Sequence, residues 1–249
     1  MRSAHMAYIA LLSFSALSLI SPLAFANPLK SVGGTSVTKG RHAIEMRAGL
    51  SSDQASDSQD GRFNTRTYYD YGVSDWYAIR FGINQDNQGD GNYQHSALTL
   101  DNRFQVFERN QHGFDGGFRL SYSFRDGNKK PDTIEARWIN VIPLQADYEF
   151  RHHVIVQHQI GQESRHGLMP ELRWQVTRPF INDHRVGVEM FNEFGNIRYQ
   201  DGYSKQNHSM GLVFTGPLWK DLNYQTGYRH SLSRNAPDHA VKFFIGHDF

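Results

Sequence analysis

Cysteine does not occur anywhere in the 249 residues. A disulfide scaffold is therefore excluded, and the chain must hold together by hydrogen bonding and apolar burial. Net charge is almost absent too, with 26 lysines and arginines against 25 acids. No basic field invites nucleic acid, so none is expected as a partner. Beyond the first 20 or so residues, no stretch approaches the ~18 apolar residues of a spanning helix. The 3.6-residue periodicity of an amphipathic helix is hard to find at all.

The N-terminus has its own logic. Arg2 and His5 precede an apolar run, "MAYIALLSFSALSLI", broken only by Ser13, Ser15 and Ser18. Pro22 and the A-x-A pattern Ala24-Phe25-Ala26 follow. This reads as a secretory signal peptide over residues 1–26, cut before Asn27. Removal would leave 223 residues with 25 basic and 25 acidic side chains. Residues 27–40, "NPLKSVGGTSVTKG", are small and polar and read as a flexible lead-in. Residues 41–249 then suit a single domain.

Across that domain one theme repeats: about ten residues of alternation, a connection, and ten more. In "HAIEMRAGL", Ile44, Met46, Ala48 and Leu50 share one face, while Glu45, Arg47 and Gly49 share the other. "GGFRLSYSFR" sets Phe118, Leu120, Tyr122 and Phe124 against Arg119, Ser121 and Arg125. "SALTLDNRFQVF" does the same, with Asn102 a blemish on its apolar face. The reading gives twelve strands. Tight connections near 74–75, 108–112, 148–151, 179–183 and 217–221 alternate with longer polar ones. The longer set lies at 51–61, 86–92, 126–132, 162–166, 195–206 and 233–238. Outer-membrane barrels have that asymmetry, with short periplasmic turns and longer outer loops. A soluble two-sheet sandwich would also alternate, but its strands average nearer 5–6 residues than the ~9–11 that cross a bilayer. Mean hydropathy is −0.60 and aromatics make up 13%. A barrel looks hydrophilic on average because only alternate residues meet lipid. Aromatics also gather near both strand ends, Trp76, Phe180, Trp219 and Phe249 on the turn side, Phe63 and Phe124 toward the loops. The fold class expected is an all-β, antiparallel, up-and-down transmembrane barrel.

The chain ends in "AVKFFIGHDF", which resembles the C-terminal signal that barrel-assembly machinery reads. Phe243, Ile245 and the terminal Phe249 would carry it, in a last strand that must pair with the first because lipid tolerates no open edge. "TYYDYGVSDWYAIRFGI", "GFRLSYSFRDGNKKPDTIEARW" and "ELRWQVTRPFINDHRVGVEMFNEFG" are similar in order and spacing to a family of Gram-negative exported outer-membrane barrels of about 250 residues. The likeness spans nearly the whole chain after residue 26. It implies the fold and an outer-membrane location, and no catalytic signature travels with it.

The face opposite lipid is rich in charge. Arg47, Arg66, Arg80, Arg103, Arg119, Arg137, Arg173, Arg185 and Arg229 are basic, and Glu45, Asp70, Glu171 and Glu189 acidic. An arginine at the bilayer midplane costs roughly 2–4 kcal/mol, so these residues are expected to line the lumen. One reading is a narrow porin-like channel for small polar or anionic solutes. Another is a closed barrel whose arginine–glutamate network is interior packing. A third is a lipid hydrolase. Twelve-stranded outer-membrane lipid hydrolases carry His-x-Ser, placing both side chains on one strand face. Here His95-Ser96, His208-Ser209 and His230-Ser231 are adjacent and point to opposite faces. Ser164-x-His166 beside Glu163 has usable spacing but falls in a loop. No catalytic residue is therefore assigned. Thirteen histidines, among them His152, His153 and His158, form no recognisable ligand set, so neither metal nor cofactor is expected. The partners implied are outer-membrane lipid, lipopolysaccharide, the assembly machinery and small polar solutes.

Overall fold

The computed structural model describes residues 27–53, 60–87, 92–125, 130–199 and 202–249. Twelve strands form: β1 His42–Ser52, β2 Arg62–Gly72, β3 Tyr77–Asp86, β4 Gln94–Phe107, β5 Asp115–Phe124 and β6 Asp132–Pro143. They continue with β7 Glu149–Ile160, β8 Leu168–Ile181, β9 His184–Glu193, β10 Asn207–Trp219, β11 Leu222–Ser231 and β12 His239–Asp248. One four-residue helix, α1 Arg109–His112, fills the β4–β5 turn. Each strand pairs antiparallel with its neighbours in sequence, and β1 pairs with β12 to close the wall. At 10–14 residues the strands have bilayer-crossing length. Alternation fixes the register, because a slip of one residue would turn the inward-facing arginines to the apolar outer face.

The outer face is apolar. Met46, Phe81, Ile83, Leu98, Leu212 and Val241 are all about half exposed there. Trp76, Phe180, Trp219 and Phe249 stand out near one rim, Phe63 and Phe124 near the other. Phe243 lies on this face, and the Phe249 amide donates to the His42 carbonyl across the seam (2.9 Å). The blemish at Asn102 is resolved locally: its side-chain oxygen accepts from the Tyr77 hydroxyl at 2.8 Å. Pro179 and Pro217 sit where the ladders of β8 and β10 shift register near the turn-side rim, where a missing N–H costs least.

Residues 27–40 correct an expectation. They are not a flexible lead-in but a folded segment inside the barrel. At the turn-side rim the Gly40 amide donates to the Gly72 carbonyl, and the Gly72 amide donates to the Arg41 carbonyl. From there the segment rises through the lumen until Pro28 reaches Gly49 of β1. A side chain at Gly49 would place its first carbon 2.9 Å from the Pro28 ring, so the approach needs glycine. Leu29 and Val32 are each 1% exposed. With Pro28, Leu29 and Val32 as its fully buried apolar anchors, the segment has no periodicity to read. What holds it is the polar wall.

Candidate functional site

The lumen has two unlike halves. Around β8–β12 and β1 it is filled. Phe191, Val213 and Phe244 point inward and are almost wholly buried, with Leu29 and Val32 of the inner segment completing the packing. Cations are threaded between the rings. Arg229 lies 4.5 Å from the centre of Phe191, and Arg47 4.6 Å from that of Phe244. Each gains a π contact and covers apolar surface with its stem. Lys242 ion-pairs with Glu189 at 2.6 Å, with side-chain exposures of 1% and 0%.

The backbone of the inner segment is tied to this half through its carbonyls. Arg229 donates to Asn27 (2.9 Å), Arg47 to Leu29 (3.2 Å) and Lys242 to Lys30 (3.2 Å). Arg173 donates to Ser31 (3.3 Å) and Arg151 to Val32 (3.5 Å). The Gly33 carbonyl sits 2.9 Å from His153 Nε2, which must carry the proton because a carbonyl can only accept. In return, Lys30 forms ion pairs with Glu171 (2.8 Å) and Glu193 (2.7 Å). A segment without secondary structure thus finds partners for six of its carbonyls between Asn27 and Gly33.

The other half, centred on β2–β6 and reaching β1 and β8 at its edges, is open. A cavity of about 890 Å³ runs there, bounded across the lumen by Lys30, Glu171 and Glu193. Fourteen lysines and arginines line it against nine carboxylates. Tyr68 lies flat on its wall over Gly82, where an added carbon would meet the ring at 2.6 Å. Arg80 stacks on that ring at 4.4 Å. Two cross-strand rows define the wall. Asp70, Arg80, Asp101, Ser121 and Glu135 follow one another across β2–β6, and beside them run Arg103, Arg119 and Arg137 across β4–β6. Ion pairs link the rows: Arg103–Asp70 at 2.6 Å and Arg119–Asp101 at 3.5 Å between strands, and Arg137–Glu135 at 2.5 Å along β6. Asp70 also holds Arg80 at 2.8 Å.

Ten of the thirteen residues read as pore-lining border this cavity: Arg47, Arg66, Arg80, Arg103, Arg119, Arg137, Arg173, Glu45, Asp70 and Glu171. Three do not, and the expectation for them is corrected. Arg229 and Glu189 are buried in the packed half. Arg185 lies at the turn-side rim, bonded to Thr177 Oγ1 (3.0 Å) and to the Asp147 carbonyl (2.8 Å). Alternation says which side of the wall a residue faces and nothing of what fills the lumen there. Asp101 and Glu135, which inward parity also places on the lumen face in the sequence, border the cavity too. Lys30 gave no such signal. Ser164 and His166 lie in the β7–β8 loop, where the hydrogen bonds found involve the Ser164 amide and the His166 carbonyl rather than their side chains. Among the described residues no group of three or more histidines and carboxylates could hold a metal ion.

No protein-family model matches the chain, and no curated protein does. Among solved structures, it is similar to the COG4313 outer membrane channel from Pseudomonas putida F1, with a TM-score of 0.61 at 8% identity, covering 88% of this chain and 100% of that one. The translocator domain of autotransporter NalP from Neisseria meningitidis matches with a TM-score of 0.46 at 10% identity, over 85% of this chain and 89% of that one. At such identities the first likeness speaks to fold. The protein is a closed twelve-stranded antiparallel β-barrel, a fold it shares with that outer membrane channel.

Proposed function

We propose that the barrel is a narrow channel passing small polar solutes, anions in preference, along the open half of its lumen. One observation carries this reading: the 890 Å³ cavity with its excess of lysine and arginine over carboxylate. The chain as a whole is close to neutral, so the excess is a local concentration of positive charge. Low-dielectric walls focus such a field and raise the local concentration of counter-ions. The inner segment narrows the path to one side of the lumen, which favours small solutes. The apolar band would meet outer-membrane lipid and lipopolysaccharide. The terminal strand, with Phe243, Ile245 and Phe249, would be read by the barrel-assembly machinery.

The test is single-channel current across a planar bilayer, using refolded protein with a boiled control. Discrete steps are expected, with a reversal potential displaced toward chloride in a KCl gradient. A correctly folded barrel that stays silent would sink the proposal and leave the inward charge as packing.

A further inference from the structure

We infer that the Arg103–Arg119–Arg137 row is a binding site for a small oxyanion, phosphate-like or carboxylate. The inference rests on the channel reading for its route of access, and extends it from a cationic passage to a saturable site.

Three arginines stand directly opposite one another on adjacent strands. Like charges placed so are destabilising unless something compensates them. The compensation nearby is incomplete. Arg47, Arg80, Arg103, Arg119 and Arg137 have four carboxylates among them: Glu45, Asp70, Asp101 and Glu135. Asp70 is divided between Arg80 and Arg103, and Glu45 between Arg47 and Arg80. One positive charge is left over.

The shortfall falls on Arg119. Its side chain is 11% exposed, and its one ion pair among the described residues, with Asp101, is 3.5 Å long. Its Nε, like that of Arg103, has no hydrogen-bond partner among the described residues. A buried guanidinium N–H without an acceptor is costly, so the Arg119 side chain gains by turning toward an oxygen that arrives in the cavity. Arg119 is the middle residue of the row and borders the cavity, as do its two neighbours. Planar guanidinium forks match carboxylate and phosphate oxygens in bidentate fashion, which a spherical halide cannot exploit. Asp101 and Glu135 at the edge repel a bulky polyanion, so the occupant is small.

The test is titration calorimetry of the full barrel in detergent, at low ionic strength, with inorganic phosphate, succinate and chloride as separate probes. Saturable binding of phosphate or succinate is expected, and chloride should give no saturable heat. Whichever oxyanion binds more tightly tells a tetrahedral ligand from a carboxylate. Arg119→Ala should weaken binding at least tenfold. Arg119→Lys, which keeps the charge and loses the fork, should fall between. Arg137→Ala reads the same prediction from the next strand if Arg119→Ala does not fold. Binding unchanged in a folded Arg119→Ala, or heat that never saturates, would overturn the site. A silent bilayer with phosphate binding intact would remove the channel and keep the site. Current steps without saturable oxyanion binding would do the reverse.

Discussion

The two halves of the lumen are built from the same residue types and do opposite things with them. On the β8–β12 side, Lys242, Arg229 and Arg47 spend their hydrogen bonds on the inner segment and their flat or aliphatic surfaces on Phe191 and Phe244. On the β2–β6 side, Arg103, Arg119 and Arg137 face a cavity and lean on too few carboxylates. A charged side chain inside a barrel is therefore not evidence of a pore by itself. What decides is whether something else fills the space in front of it. Here the filler is a stretch of the chain's own N-terminal region, and it covers one wall only.

The comparison breaks most readily at the buried pair. Lys242→Ala leaves Glu189, which is 0% exposed, without its cation. A loss of about 3–5 kcal/mol is expected, read as a lower temperature for the heat-induced shift in gel mobility. Replacing both, Lys242→Met with Glu189→Leu, should recover most of that loss. If Lys242→Ala alone melts like the parent, the packed half is not packed. Next is Lys30→Ala, which takes from Glu193 its ion-pair partner and loosens the inner segment from β8 and β9. It should cost about 1–3 kcal/mol and raise single-channel conductance. Conductance equal to the parent's would mean that the segment does not set the width of the path. The smallest effect on stability belongs to the open half. Arg119→Ala relieves like-charge repulsion and removes a long ion pair, while Asp101 keeps Arg80 and Ser121 directly opposite it on the neighbouring strands, so the cost should stay below about 1 kcal/mol. Anion preference should fall all the same. A large destabilisation there would mean that the two halves are alike after all.

Much of this fold can be read from the sequence because one period carries it. Ile44, Met46 and Ala48 against Glu45 and Arg47 define a strand, its lipid face and its lumen face at once. The alternation of tight and long connections then orders the strands around a closed wall. The partition of the lumen is another matter. Arg229 and Arg119 have the same inward parity and the same chemistry, yet one is sealed under Phe191 and the other faces the cavity. The fate of Arg229 is set by Phe191 on another strand and by Asn27, 202 positions away, and that of Arg119 by its strand neighbours. The inner segment is the extreme case. Much of its hold on the interior comes from backbone carbonyls, which every sequence has, and its side-chain anchors, Leu29, Lys30 and Val32, are too few to form a readable pattern.

The seam between β1 and β12 has a consequence in time. Ala43 pairs with Asp248, 205 positions further along the chain. Contacts between residues so far apart form late, because the entropy of closing the intervening loop must be met before any of them contributes. The inner segment binds residues on β1, β7, β8, β11 and β12, on both sides of that seam. Its seat is therefore complete only when the cylinder shuts. Closure of the wall and filling of the interior become one cooperative event, and a cylinder stalled half-open would leave the segment without its seat.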